Sequence, residues 1–103
     1  MRIDWSGLAR DDLRNIKAYI ARDSPHYARQ FVEQIIVAVR RLEEFPESGR
    51  QVSEAKAQEV REIIFRGYRV IYELNLPERV VILAVMHGRR DLTRQEAQPW
   101  KER

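Results

Sequence analysis

Residues 60–86 read VREIIFRGYRVIYELNLPERVVILAVM, and this run decides the fold. Val60–Phe65 is β-prone, Arg66-Gly67 suits a tight turn, and residues 68–74 are β-prone again. Asn75-Leu76-Pro77-Glu78 is a second turn signal. Residues 79–86 are nearly continuous Val, Ile and Leu, the pattern of a strand buried on both faces. Two short connections predict a three-stranded antiparallel meander. Alternation places Tyr68, Val70, Tyr72 and Leu74 on one face of its middle strand, with Arg69, Ile71 and Glu73 on the other.

Upstream the period changes. Arg2–Trp5 alternates polar and apolar, with Ile3 and Trp5 on one face, and predicts a short strand. Ser6 can then cap a helix, because its hydroxyl can accept a free backbone N–H. Ala9, Leu13, Ile16 and Ile20 share one helical face, and the helix stops near Arg22. Asp23-Ser24-Pro25 is a break and a restart, since proline lacks only an N–H that the first helical turn leaves unbonded. Ala28, Phe31, Ile35, Ala38, Leu42 and Phe45 form the stripe of a second helix, about 20 residues and roughly 30 Å long. The short break makes the pair an antiparallel hairpin. Pro46 and Gly49 in Phe45-Pro46-Glu47-Ser48-Gly49-Arg50 mark its end, and residues 51–58 read as a polar loop with some helical character.

The predicted order is β-α-α-β-β-β, an α+β fold with the helical hairpin packed on one face of a small antiparallel sheet. The other face is expected to stay open for a partner. Residues 91–97 read as a short helix capped by Asp91, and residues 98–103 as a frayed tail. Within that tail Trp100 either folds back onto the sheet or docks on a partner. Trp5 and Tyr19 are expected as core or staple residues. Asp11-Asp12 and Glu43-Glu44 are read as solvated, because adjacent helical residues diverge by about 100°.

The chain has 103 residues, enough for one domain spanning 1–103 with a single core. Hydrophobic residues make up 44% and charged residues 34%, a globular balance rather than a disordered one. No apolar run approaches the roughly 18 residues of a membrane helix, and the N-terminal dozen residues carry no apolar leader. Cysteine is absent, which excludes disulfides and thiolate chemistry and suits a reducing cytoplasm. With His26 and His87 the only histidines, no metal centre is expected, and no motif calls for a cofactor. The formal charge is +3, mildly basic and mostly arginine, which suits bidentate contacts to phosphate or carboxylate.

The basic residues cluster around the predicted sheet. Arg61, Arg66 and Arg69 lie on or between its first two strands, and His87, Arg89, Arg90 and Arg94 follow its last. Such a cluster can hold a phosphate or stabilise charge on one. Tyr68 or Tyr72 could stack on a base, and His87 could move a proton. Alternatively the arginines pair with Glu62, Glu73 and Asp91 and form an ordinary solvated surface.

Ser24-Pro25-His26-Tyr27-Ala28-Arg29-Gln30-Phe31, then Leu42-Glu43-Glu44-Phe45-Pro46-Glu47-Ser48-Gly49-Arg50, then residues 61–72, then His87-Gly88-Arg89-Arg90-Asp91-Leu92 together resemble the RelE/ParE superfamily of bacterial toxins. The resemblance runs from Trp5 to about Leu92. It implies the fold just derived, and a role as the toxin of a type II toxin–antitoxin system. It also implies an antitoxin, ParD-like or similar, whose amphipathic segment wraps the toxin over the open sheet face and the helical hairpin.

The superfamily divides by activity. RelE-like members cleave mRNA on the ribosome without a metal, using basic residues on the sheet and often a C-terminal tyrosine. ParE-like members poison DNA gyrase. Arg69 and Arg90 match arginines that RelE-like enzymes place at the scissile phosphate. The lysines of that branch fall on Val60 and Glu62, and its tyrosine falls near Glu96. The resemblance therefore implies a ParE-like, cytoplasmic gyrase inhibitor that works by binding, in a toxin–antitoxin hetero-oligomer. Its partner-binding residues are Arg61, Arg66, Arg69, Ile71, Arg89, Arg90 and Trp100. The alternative is a ribosome-dependent mRNA endonuclease using Arg69, Arg90 and His87, and a further alternative is an inactive antitoxin-binding module. On this reading, a sheet face already filled by the chain's own atoms would end the toxin interpretation.

Overall fold

The computed structural model describes residues 1–56, 59–75, 78–94 and 97–101. β1 (Arg2–Trp5) leads into α1 (Gly7–Ala21), and α2 (Pro25–Arg40) continues as a 3-10 turn over Arg41–Glu43. β2 (Arg50–Gln51), β3 (Val60–Phe65), β4 (Tyr68–Asn75) and β5 (Arg79–His87) follow, and a last 3-10 turn covers Pro99–Lys101. The sheet order is β1-β5-β4-β3-β2.

Local chemistry sets the helix ends as expected. Ser6 Oγ accepts from the Ala9 N–H at 3.0 Å, and Ser24 Oγ accepts from the Tyr27 N–H at 3.2 Å with Pro25 next in line. The hairpin lays Phe31, Ile35, Val39 and Leu42 on Val70, Tyr72, Leu74, Val80 and Ile82, all nearly or fully buried. β3, β4 and β5 form the predicted meander, and β4 divides its faces at the predicted residues.

The sheet is mixed rather than wholly antiparallel, because β1 pairs in parallel with β5, Ile3 opposite Val80 and Trp5 opposite Ile82. The two helices make a crossover long enough for that pairing. β2 falls where the turn signal ends at Arg50 and the expected loop begins at Gln51, because two residues carry no periodicity to reveal a strand. β5 carries a register shift: Ile71 faces Ala84 and Tyr72 faces Ile82, so Leu83 is extra and joins Ala84 beneath the second face.

That second face is not open. Val52, Val60, Ile71, Leu83, Ala84, Met86 and Leu92 form a second buried cluster, with Ala55, Ala97 and Trp100 packed on it. The segment expected to fray folds back: Gln98 Nε2 donates to the Leu92 carbonyl at 2.7 Å, and Pro99 is buried. Residues 102–103 lie outside the described residues. Residues 91–94 form no helix; Asp91 instead accepts from the Thr93 N–H and hydroxyl in a local turn. This turn holds the Asp91 carboxyl below its ordinary value.

Three side chains depart from their expected places. Phe45 is 61% exposed and Tyr19 is 67% exposed, because the second helix ends before Phe45 and Tyr19 lies off the buried stripe of α1. Asp12 is half-buried rather than solvated: its carboxylate accepts from the Val85 N–H at 3.0 Å, where β5 runs on past the end of β1. Burial pushes the Asp12 carboxyl up, opposed by that hydrogen bond and by Arg90. A raised pKa in the folded state means that stability falls as pH climbs from the ordinary aspartate value through the raised one. Asp12→Asn, which keeps an acceptor and loses the charge, is expected to remove this dependence and leave neutral-pH stability equal or higher. Asp12→Ala leaves the Val85 N–H unpartnered and is expected to cost about 1–3 kcal/mol. Urea melts at several pH values check both.

Candidate functional site

The arginines singled out from sequence separate into three environments. Arg69, on the second face of β4, is 7% exposed. Its Nε donates to Glu62, itself 3% exposed, and its Nη2 donates to Glu54 at 3.1 Å. Arg50 reaches the same Glu62 at 2.9 Å. Two carboxylates and two guanidiniums thus form a partly buried, neutralised network. The hydrogen bond from Arg69 holds the Glu54 carboxyl below its usual range. Glu62 was one of the alternative partners read from sequence; Glu54 lies in the former loop and carried no signal.

Arg61 is diverted to backbone. Its Nη1 donates to the carbonyls of Gly49 at 2.8 Å and Glu47 at 3.2 Å. It shares this task with Tyr72, whose buried hydroxyl accepts from the Gly49 N–H at 2.9 Å and donates to the Pro46 carbonyl at 2.8 Å. Burial pushes the Tyr72 hydroxyl pKa up, so the phenol stays protonated and able to donate. The turn after the helical hairpin is therefore clamped from the sheet by two side chains. Ile71 is fully buried and Trp100 is half-buried on the second face, so neither presents the free contact surface expected of it.

Arg66, His87, Arg89 and Arg90 are exposed together at one tip. Arg66-Gly67 is a two-residue hairpin loop with φ of +48° and +83°, the left-handed pair that matches strand twist. The Gly88 N–H donates to the Gly67 carbonyl at 2.8 Å, which ties the exit of β5 to this loop. A Cβ on Gly88 would lie 2.8 Å from that same carbonyl oxygen, so the close approach requires glycine. Arg66 Nη1 reaches the Tyr27 hydroxyl at 3.3 Å, and the His87 ring meets Tyr68 edge-on at 5.7 Å. His87 Nδ1 accepts from the Arg89 N–H at 3.1 Å. The result is a solvent-facing cationic tip braced by two glycine backbones and by Phe31, Tyr68 and His87.

Strand alternation decides what this arrangement can do. Tyr68 opposes His87 and Arg69 opposes Met86, and successive residues point to opposite faces. His87 packs on the helix side against Tyr68, whereas Arg69 is held on the second side by Glu62. They do not converge on one phosphate. Val60 and Glu62, where the nuclease branch would place lysines, are a buried aliphatic and a bonded carboxylate. The tyrosine position near Glu96 lies outside the described residues. Among the described residues no group of three His, Asp or Glu side chains could hold a metal, and no helix is long and apolar enough to cross a membrane.

A family model described as the ParE toxin of the type II toxin–antitoxin system parDE matches residues 3–92. A curated protein of Sinorhizobium fredii (strain NBRC 101917 / NGR234), named Putative toxin Y4kP, is 36% identical over 87 residues, 84% of this chain and 88% of that protein. A solved structure described as a chromosomal ParDE TA system from P. aeruginosa shares the fold at a TM-score of 0.70 and 20% identity. The match covers 84% of this chain and 95% of that one.

Proposed function

The chain belongs to the ParE toxin family of type II toxin–antitoxin systems, and from that premise we propose that it arrests growth in the cytoplasm by binding DNA gyrase, until a cognate antitoxin neutralises it. The toxin acts by occupation, with no bond-making of its own. Arg66, Arg89 and Arg90 supply the exposed cationic surface for the target. Arg61 and Arg69 support the fold instead, through the turn at Gly49 and the Glu62 network.

The observation that carries this reading is the state of Arg69. A guanidinium already bonded to two carboxylates is not available to a scissile phosphate, and an added acid near that phosphate opposes the charge that develops there. His87 on the opposite face cannot serve as its proton donor.

Purified toxin added to gyrase and relaxed plasmid is expected to block supercoiling and to accumulate cleaved plasmid. The Arg89→Glu/Arg90→Glu double variant is expected to fold normally, since both side chains are exposed. It should need at least ~10-fold more protein for the same inhibition, because reversing two charges on a rim acts on encounter and register. Codon-phased cuts in translated mRNA, with supercoiling untouched, would overturn the proposal in favour of the nuclease.

A further inference from the structure

Two turns meet at the end of the sheet where β3 passes to β4 and β5 ends. Their six residues, Arg66-Gly67 and His87-Gly88-Arg89-Arg90, are three arginines, two glycines and a histidine, all exposed. The backbone beneath them is bonded internally: the Gly88 N–H to the Gly67 carbonyl, the Arg89 N–H to His87 Nδ1, and the Arg90 N–H to the His87 carbonyl at 3.0 Å. The Arg66 guanidinium is steered by the Tyr27 hydroxyl and lies 5.5 Å from the centre of the Phe65 ring. Because His87 Nδ1 already accepts, Nε2 is the ring nitrogen left to donate outward. Among the described residues Arg66, Arg89 and Arg90 form no ion pair, whereas Arg50, Arg69 and Arg79 do. The carboxylates beside the tip are engaged: Asp12 holds the Val85 N–H, and Asp91 holds the Thr93 N–H and hydroxyl.

We infer that this tip binds the phosphodiester backbone of duplex DNA, its guanidiniums bridging phosphates without reading the bases. This rests on the gyrase reading above and deepens it: the enzyme supplies the DNA, and the tip grips that DNA rather than the enzyme's own surface. The make-up of the tip selects the ligand. A protein interface needs apolar anchors at its centre, and the two turns offer none. Phe31 beneath them is 2% exposed, and Phe65 and Tyr68 are half-buried against it. Phosphate contact needs only fixed guanidiniums, each able to take two oxygens, and it gains affinity from released counterions. Turns held by their own hydrogen bonds lose little conformational freedom on binding. Unpaired bases would need a free aromatic face to stack on, whereas the Tyr68 ring is already packed edge-on with Phe31 at 5.4 Å and His87 at 5.7 Å. A duplex, which presents phosphates outward and keeps its bases stacked, fits the tip as it stands.

The test titrates a fluorescent DNA duplex of arbitrary sequence with the full-length toxin across a series of salt concentrations, with no gyrase present. The parent is expected to bind with a Kd of about 1–100 µM, weakening steeply as salt rises. Arg89→Gln/Arg90→Gln should bind at least ~10-fold more weakly at low salt, and the slope of log K against log salt should flatten by about 0.9 for each arginine removed. Arg66→Asn, chosen because asparagine tolerates the left-handed turn, should flatten the slope by one such step. Arg89→Lys/Arg90→Lys keeps both charges and should keep most of the slope. Arg40→Gln/Arg41→Gln removes the same charge about 20 Å along α2 from Tyr27, at two exposed positions, and should bind like the parent. Should Arg66→Asn melt early, the Arg89/Arg90 variants still decide. Equal weakening by the two glutamine pairs, or none by either, overturns the inference. Polyglutamate that displaces the duplex at equal charge overturns it in favour of an acidic protein surface, and tighter binding of single-stranded RNA overturns it in favour of RNA. A toxin that inhibits gyrase but binds no duplex overturns this inference alone; one that binds duplex through the tip while supercoiling proceeds overturns the gyrase reading alone.

Discussion

Glu62→Ala is expected to lower stability by about 3–5 kcal/mol, because it strips the inner carboxylate from a nearly buried guanidinium. Domains of this size hold about 5–15 kcal/mol in total, so the loss takes a large part of the fold's reserve. At roughly 4–8 °C per kcal/mol for a domain of this length, the melting temperature should fall by about 12 °C or more. Glu62→Gln keeps an oxygen for Arg69 and should fall between the two. Arg50→Ala should cost little, since Arg50 is mostly exposed and meets Glu62 from outside. The pH dependence has a definite sign. The Glu54 carboxyl is held low by Arg69, so its contribution is present above the ordinary glutamate value and lost as pH falls through the lowered one. Thermal melts of the three variants between acid and neutral pH measure all of this. A melt of Glu62→Ala that matches the parent would mean that the Arg69–Glu62 pair contributes no stability, leaving Glu54 as the one carboxylate that holds Arg69.

Gly49→Ala is expected to cost about 2–4 kcal/mol, through overpacking and the loss of a buried hydrogen bond. A Cβ there would lie 2.4 Å from the Tyr72 hydroxyl oxygen and 2.7 Å from both the Glu62 carbonyl oxygen and the Tyr72 ring. Tyr72 has no room to yield, being fully buried, and its hydroxyl is the link between Gly49 and Pro46. Moving the ring breaks both bonds and releases the turn that ends the helical hairpin. The double-mutant cycle with Tyr72→Phe separates the causes. Removing the hydroxyl eliminates the 2.4 Å contact but not the other two, so the cost of Gly49→Ala should shrink in that background without vanishing. Denaturant melts of the four proteins give the coupling. Full additivity would mean that the turn adjusts independently of Tyr72.

The covered second face removes the open surface expected from sequence without changing the family. From sequence, a sheet face filled by the chain's own atoms would end the toxin interpretation; the face is filled, and that condition is overturned, because the ParE toxin family is shown over residues 3–92 all the same. The toxin pattern spans residues 3–92, whereas much of the cover comes from Leu92, Ala97 and Trp100 at or beyond its end. Arg66, Arg89 and Arg90 at the tip and Ile64 on β3 remain exposed.

The sequence by itself determined the parts of this protein that depend on neighbours along the chain. Helical stripes repeat every three to four residues and strand faces every two, so the hairpin, the meander and the facing of Val70, Tyr72, Arg69 and Ile71 were legible without coordinates. The caps at Ser6 and Ser24 and the loop at Arg66-Gly67 were legible for the same reason. The clustering of Arg66, His87, Arg89 and Arg90 followed from the meander's connections. What the tertiary structure alone decided is which groups are satisfied. Arg69 is neutralised by Glu54, fifteen residues away, and the Val85 N–H is capped by Asp12, seventy-three residues away. Trp100 and Leu92 close over Ile71 in the same manner. Periodicity records which way a side chain points, whereas pairing and cover depend on distances set only when remote segments meet; the face on which Arg69 lies was therefore readable and Glu62 stood among its possible partners, whereas Glu54 carried no signal.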